Sequence, residues 1–174
     1  MDEFRMNLAG VVTESIVDGP GFRSTVFFQG CQHACKGCHN PETWDSHGGE
    51  EVSLPEVIRK LQLNPLISGV TFSGGEPFLQ AKSAVKLGQW IKKQQLNLWI
   101  YTGFTWEYLT EQPDIPGSSE LLTLADVIVD GPYIEKYRDS QLLFRGSSNQ
   151  RLIAVHATLK NGTVTLWQPE AMVI

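Results

Sequence analysis

The chain has 174 residues, 41% hydrophobic and 10% aromatic, which suits one cored domain and excludes a disordered one. A formal net charge of −5, with basic pairs only at Arg59-Lys60 and Lys92-Lys93, excludes the cationic surface a nucleic-acid partner needs. No apolar run nears the roughly 20 residues that span a bilayer, and the acidic start "MDEFRMNLAG" has no apolar core behind it, so the chain reads as cytoplasmic without membrane contact.

In chain order, "STVFFQGC" (24–31) is short, β-branched and aromatic, and apolar at successive positions, the pattern of a strand buried on both faces. "SLPEVIRKLQLN" (53–64) predicts a helix, with Ser53 as N-cap, Pro55 in the first turn and Glu56 three residues after the cap. "SGVTFSGGEP" (68–77) is a second strand. "QAKSAVKLGQWIKKQQ" (80–95) is a helix with Ala84, Leu87, Trp90 and Ile91 on one face. "NLWIYTGF" (97–104) is a third strand, "TWEYLTEQ" (105–112) and "SSELLTLA" (118–125) are shorter helices, and "ADVIVDGP" (125–132) is a fourth strand. "RLIAVHATLKNGTVTLWQ" (151–168) reads as two strands around Asn161-Gly162, a terminal β-hairpin. Alternating strands and helices define an α/β fold with a mainly parallel sheet, here closed by the hairpin. No repeat or linker divides residues 1–174, so one domain is expected.

In such sheets ligands sit outside the carboxyl ends of the strands. Those ends carry Cys31, then Ser73-Gly74-Gly75-Glu76, then Thr102-Gly103, then Asp130-Gly131, four polar loops on one rim. The three cysteines, Cys31, Cys35 and Cys38, fall within eight positions. Their odd number and a reducing compartment argue against disulfides. A structural zinc would need a fourth ligand from His33, His39 or His47, and no second ligand pair is present. A cubane iron–sulfur cluster binds through thiolates, and three of them leave one iron open. On the residues alone, zinc and cluster both stay open.

C-x3-C-x2-C followed by His39, together with "SGGEP" (73–77), resembles the radical S-adenosylmethionine enzymes. "DGPGFR" (18–23), "GCHNPETW" (37–44), "VDGPY" (129–133) and "RGSSNQR" (145–151) narrow the resemblance to the activating proteins of anaerobic, class III ribonucleotide reductases, small members of the glycyl-radical activases. The similarity runs from about Asp18 to Arg151 and leaves the terminal hairpin largely uncovered.

The resemblance implies a partial (β/α) barrel and a [4Fe-4S] cluster on Cys31, Cys35 and Cys38, with S-adenosyl-L-methionine on the open iron. Reductive cleavage there gives a 5′-deoxyadenosyl radical that takes a Cα hydrogen from a glycine of the reductase large subunit. The implied electron donor is a low-potential protein such as flavodoxin. Gly37, Cys38 and His39 would border the adenine, while Ser73, Gly74, Gly75 and Glu76 would hold the methionine ammonium. Thr102 would face the nucleoside or methionine and Asp130 the ribose.

Plainer roles exist for several of these: an idle loop histidine for His39, a strand-end residue for Thr102 and a type I turn for Asp130. Arg23 reads as a contact to a ligand or partner carboxylate, or as a surface ion pair. "RGSSNQR" reads as a partner-facing loop or a turn. Trp90, Trp99, Trp106 and Trp167 go to core or interface. Two functional alternatives stand beside the activase: a radical enzyme acting on another glycyl-radical protein or a small molecule, and a zinc-binding interaction module.

Overall fold

The structure, a computed structural model, describes residues 4–62, 64–111 and 114–169. Leu63 and Gln112, inside or at the end of expected helices, lie outside the described residues, as do both chain ends. Seven strands form one sheet in the order β3-β1-β2-β4-β5-β6-β7. They are β1 (Arg5–Ser15), β2 (Phe22–Phe28), β3 (Glu50–Ser53), β4 (Ile67–Gly74), β5 (Asn97–Tyr101), β6 (Val127–Asp130) and β7 (Arg151–Ala154). The expected parallel core is β2, β4, β5 and β6. Antiparallel strands flank it, β1 and β3 on one side and β7 on the other, so the sheet is mixed.

Among the described residues five α-helices accompany it: α1 (Leu54–Leu61), α2 (Ala81–Lys93), α3 (Trp106–Glu111), α4 (Ser118–Leu124) and α5 (Val155–Asn161). All contribute to one core cluster, with Leu61, Ile91, Leu109, Leu121 and Val155 packed against Val26, Phe72, Ile100 and Ile128 of the sheet. The opposite face carries its own smaller cluster of Trp99, Val127, Val129 and Leu152. With no helix in that second cluster, the face is left for a cleft. Among the described residues no helix is long and apolar enough to cross a membrane.

Local signals explain the helix starts. The Glu56 carboxylate accepts from the Ser53 N–H at 2.7 Å and from the Ser53 hydroxyl at 2.6 Å, closing the first turn of α1. On α2, Ala84, Leu87 and Ile91 are fully buried, and Trp90 packs against the core from its edge. Trp99 and Trp106 are buried, and Trp167 lies edge-on to Trp99 at 5.0 Å.

The terminal hairpin is a correction. Its two arms do pair, through an Ile153–Leu166 bridge, but α5 connects them instead of a tight turn. Gly162 has φ 71° and its N–H bonds the Thr158 carbonyl, so Asn161-Gly162 stops a helix. Strands β1 and β3 were not foreseen. In β1, register shifts at Leu8/Gly10 and Val12/Ser15 interrupt the alternation a strand pattern relies on.

Arg23 makes neither of its expected contacts. It is 1% exposed on the cleft side of the sheet, its guanidinium 5.5 Å from the Trp99 ring centroid. It donates to Thr71 Oγ1 at 2.8 Å, the Val70 carbonyl at 3.0 Å and Asn97 Oδ1 at 3.1 Å. Burial lowers its pKa to about 10, against the opposing pull of Tyr101, Asp126 and Asp18.

Candidate functional site

The carboxyl ends of the parallel strands open into a cleft of about 670 Å³, within the range of small-molecule and cofactor sites. Cys31, Cys35, Cys38 and His39 line one wall, and Ser73, Gly74, Gly75 and Thr102 line the strand ends. Tyr133, Arg145 and Gly146 close it from the segment after β6.

Backbone bonds shape the cysteine loop. Gly30 N–H donates to Thr43 at 2.7 Å, Cys31 N–H to Trp44 at 3.1 Å, and Cys38 N–H to Cys35 at 3.1 Å. Ala34 at φ 47° and Gly37 at φ 75° fold the chain back in left-handed conformations. Burial pushes the Cys31 and Cys35 thiols up, while backbone N–H groups of His33 and Ala34 at Cys31, and of Tyr133 at Cys35, pull the other way. Those donors suit anionic sulfur, the form that ligates metal.

The motif glycines sit where backbones almost touch. A Cβ on Gly74 would stand 2.6 Å from the Phe28 backbone, and one on Gly75 would stand 2.3 Å from the Gly30 carbonyl. Glu76 departs from the three residues before it: it is 0% exposed and does not line the cleft. Its carboxylate accepts from Thr102 Oγ1 at 2.9 Å, Gly103 N at 2.9 Å, Phe78 N at 3.1 Å and His33 Nε2 at 2.8 Å. Thr102 is therefore both a cleft residue and a partner of Glu76.

Asp130 is 1% exposed and also stands off the cleft. It accepts the Trp106 N–H at 2.8 Å and Arg151 Nε at 3.0 Å, and Arg151 in turn holds Glu107 at 2.8 Å. This network fastens α3 to β6 and β7, and Gly131 takes the cleft position instead. Gly37 is exposed beside the rim, packed toward Tyr133 and Glu135.

Of the histidines a zinc site would draw on, His33 is bonded to Glu76 and His47 stands on the surface 3.3 Å from Asp45. His39 lies 5.2 Å from the Tyr133 ring. Among the described residues no three His, Cys, Asp or Glu side chains are grouped closely enough to hold one metal ion between them; Cys31, Cys35 and Cys38 instead line a broad open space, and thiolates on three corners of a cubane would leave the fourth to a bound ligand. Two buried donors point the same way: among the described residues Trp44 Nε1 and Arg145 Nε, both on cleft-lining side chains, have no partner. Sequence reasoning gave no site role to Trp44, Tyr101, Tyr133 or Arg145. Apart from Tyr101, each lies within a quoted motif, and motif membership was the available signal.

Residues 17–153 match the family described as a 4Fe-4S single cluster domain. With that match and these cysteines, the chain belongs to the radical S-adenosylmethionine activating enzymes. Within them it is 31% identical over 153 residues to the anaerobic ribonucleoside-triphosphate reductase-activating protein of Haemophilus influenzae, covering 83% of this chain and 96% of that one. The protein of the same name from Enterobacteria phage T4 is 33% identical, with 84% and 93% covered. The pyruvate formate-lyase 1-activating enzyme of Escherichia coli K12 is 35% identical, with 87% of this chain and 61% of that enzyme covered. Among solved structures, QueE from Escherichia coli matches 58% of this chain and 54% of its own, at 17% identity and a TM-score of 0.45.

Proposed function

We propose that this enzyme installs the glycyl radical of an anaerobic ribonucleotide reductase, taking a Cα hydrogen from one glycine of its large subunit. The observation that carries the reading is the cleft itself, with Cys31, Cys35 and Cys38 on one wall and the backbone of Ser73-Gly74-Gly75 along the strand ends. For the partner, the support is the extent of similarity, 96% and 93% of the reductase-activating relatives against 61% of the lyase activator.

In this reading the three thiolates hold a [4Fe-4S] cluster, and the strand-end carbonyls of Ser73 to Gly75 accept the ammonium of S-adenosyl-L-methionine. Bound together and given one electron by a low-potential donor such as flavodoxin, the two cofactors supply a carbon radical at the 5′ position of the nucleoside. The chain orients and shields that chemistry. His39, beside Tyr133, borders the adenine, with Gly37 and Cys38 next to it. Thr102, fixed by Glu76, limits how deep the methionine can sit. Tyr133, Arg145 and Gly146 cover the cleft and exclude water and stray hydrogen donors. Asp130, committed to Arg151, supports the ribose side only through the Gly131 turn. The sheet works as a partial barrel whose open side admits a glycine segment of a large protein at near contact.

A second reading keeps the chemistry and changes the partner, favoured by the 35% identity to the lyase activator. Anaerobically reconstituted protein, mixed with dithionite, S-adenosyl-L-methionine and either the reductase or pyruvate formate-lyase, separates the two by EPR. A glycyl doublet with the reductase alone, absent for Cys35→Ala, is expected. A doublet only with the lyase refutes the partner, and no 5′-deoxyadenosine with either refutes the chemistry.

A further inference from the structure

The Glu76 carboxylate, which the motif assigns to a ligand, is fully enclosed by protein. One of its partners comes from the cysteine loop: His33, midway between Cys31 and Cys35. We propose that His33 is a positioning residue, fastening the arc between the first two cluster ligands to the ends of β4 and β5 through Glu76. The inference rests on the cluster assigned above and on nothing about the partner protein.

A carboxylate only accepts, so the 2.8 Å contact makes His33 Nε2 the protonated nitrogen. The other acceptor positions on Glu76 are taken by Phe78 N–H, the Thr102 hydroxyl and Gly103 N–H, so one buried group joins the loop, β4 and the turn after β5. Packing holds the ring as well: its centroid lies 4.6 Å from that of Phe104, edge-on. Gly103 provides the space, since a Cβ there would fall 2.4 Å from the imidazole. Gln32 and Ala34, on either side, are exposed, so His33 is the inward point of the arc. A cubane fixes the spacing of its ligand sulfurs, and an arc tethered at its midpoint has fewer conformations to give up when Cys31 and Cys35 take that spacing. Outer partners of this kind are worth roughly 10–100-fold in metal affinity.

The test compares anaerobically reconstituted wild type with His33→Ala, His33→Gln and Gly103→Ala. It measures iron loss to a ferrous chelator, and the EPR spectrum of the reduced cluster before and after S-adenosyl-L-methionine. His33→Ala is expected to lose iron about 10-fold faster than wild type and to show an altered spectrum. His33→Gln, whose amide can donate to the same carboxylate, is expected to recover both. Gly103→Ala, which displaces the ring and leaves His33 and Glu76 in the sequence, is expected to copy His33→Ala even where that variant folds poorly. Wild-type retention and spectrum in both His33→Ala and Gly103→Ala would overturn the inference alone. A wild-type chain that holds no cluster would overturn the cluster assignment and this inference with it.

Discussion

Replacing Gly75 by alanine separates two reasons for a glycine in the "SGGEP" motif. If the residue is there only so that a ligand can approach, the cluster-free protein should not notice an added methyl. The structure says otherwise. The new Cβ would stand 2.3 Å from the Gly30 carbonyl oxygen and 3.0 Å from that of Thr43, both backbone atoms that cannot rotate away. An ordinary carbon–oxygen contact is about 3.3–3.6 Å, so Gly30 must retreat by roughly 1 Å. That movement strains two bonds, Glu76 N to Gly30 at 2.8 Å and Gly30 N to Thr43 at 2.7 Å. Two backbone bonds at about 1 kcal/mol each, with overpacking of about 1–3 kcal/mol, put the loss at about 3–5 kcal/mol. For a domain of this size that lowers the melting midpoint by roughly 10 °C. Circular dichroism melts of the cluster-free protein measure it. Gly10→Ala serves as control, since nothing lies within 4 Å of its added methyl. A Gly75→Ala midpoint within about 2 °C of wild type would refute the packing explanation.

Asp130→Ala removes the acceptor for Trp106 N–H and Arg151 and should cost about 2–4 kcal/mol in thermal or denaturant unfolding while leaving the EPR spectrum of a loaded cluster unchanged. The reverse pattern, normal stability with weakened adenosylmethionine binding, would assign it the ribose role. Glu56 is held below the usual carboxylate range by its bonds to Ser53, so its contribution is complete above the unfolded value of about 4.3 and disappears as pH falls through the lower folded value. Glu56→Ala should therefore melt below wild type at pH 7, with the gap closing on acidification below about pH 4, and a gap independent of pH contradicts this. Arg23→Lys keeps the charge but loses the forked contacts to Thr71, Val70 and Asn97, and should cost about 1–3 kcal/mol by chemical denaturation. An unchanged midpoint would show that those contacts contribute nothing net.

What could be read ahead of the coordinates followed from periodicity and punctuation. Four apolar runs became β2, β4, β5 and β6, and the Ser53–Glu56 pairing marked the start of α1 because both signals act over a few residues. β1 escaped because its bulge after Leu8 shifts the side-chain alternation partway along. Asn161-Gly162 misled because one left-handed glycine serves a tight hairpin and a helix stop equally well. Only the tertiary packing of Val155 and Thr158 decides between them. At the site, the cysteines and the glycines were legible as motifs. That Glu76 and Asp130 face inward was not, since a strand-end carboxylate looks the same in sequence whether it meets solvent, a ligand or a buried His33 or Arg151.

Two of the bonds that shape the cysteine loop, Gly30 to Thr43 and Cys31 to Trp44, run from peptide to peptide and do not involve sulfur. If the proposed cluster were lost to air, those two peptide-to-peptide bonds would stay in place and keep part of its mould. Recovery after exposure would then call for iron, sulfide and reductant, and for Cys31, Cys35 and Cys38 returned to thiols.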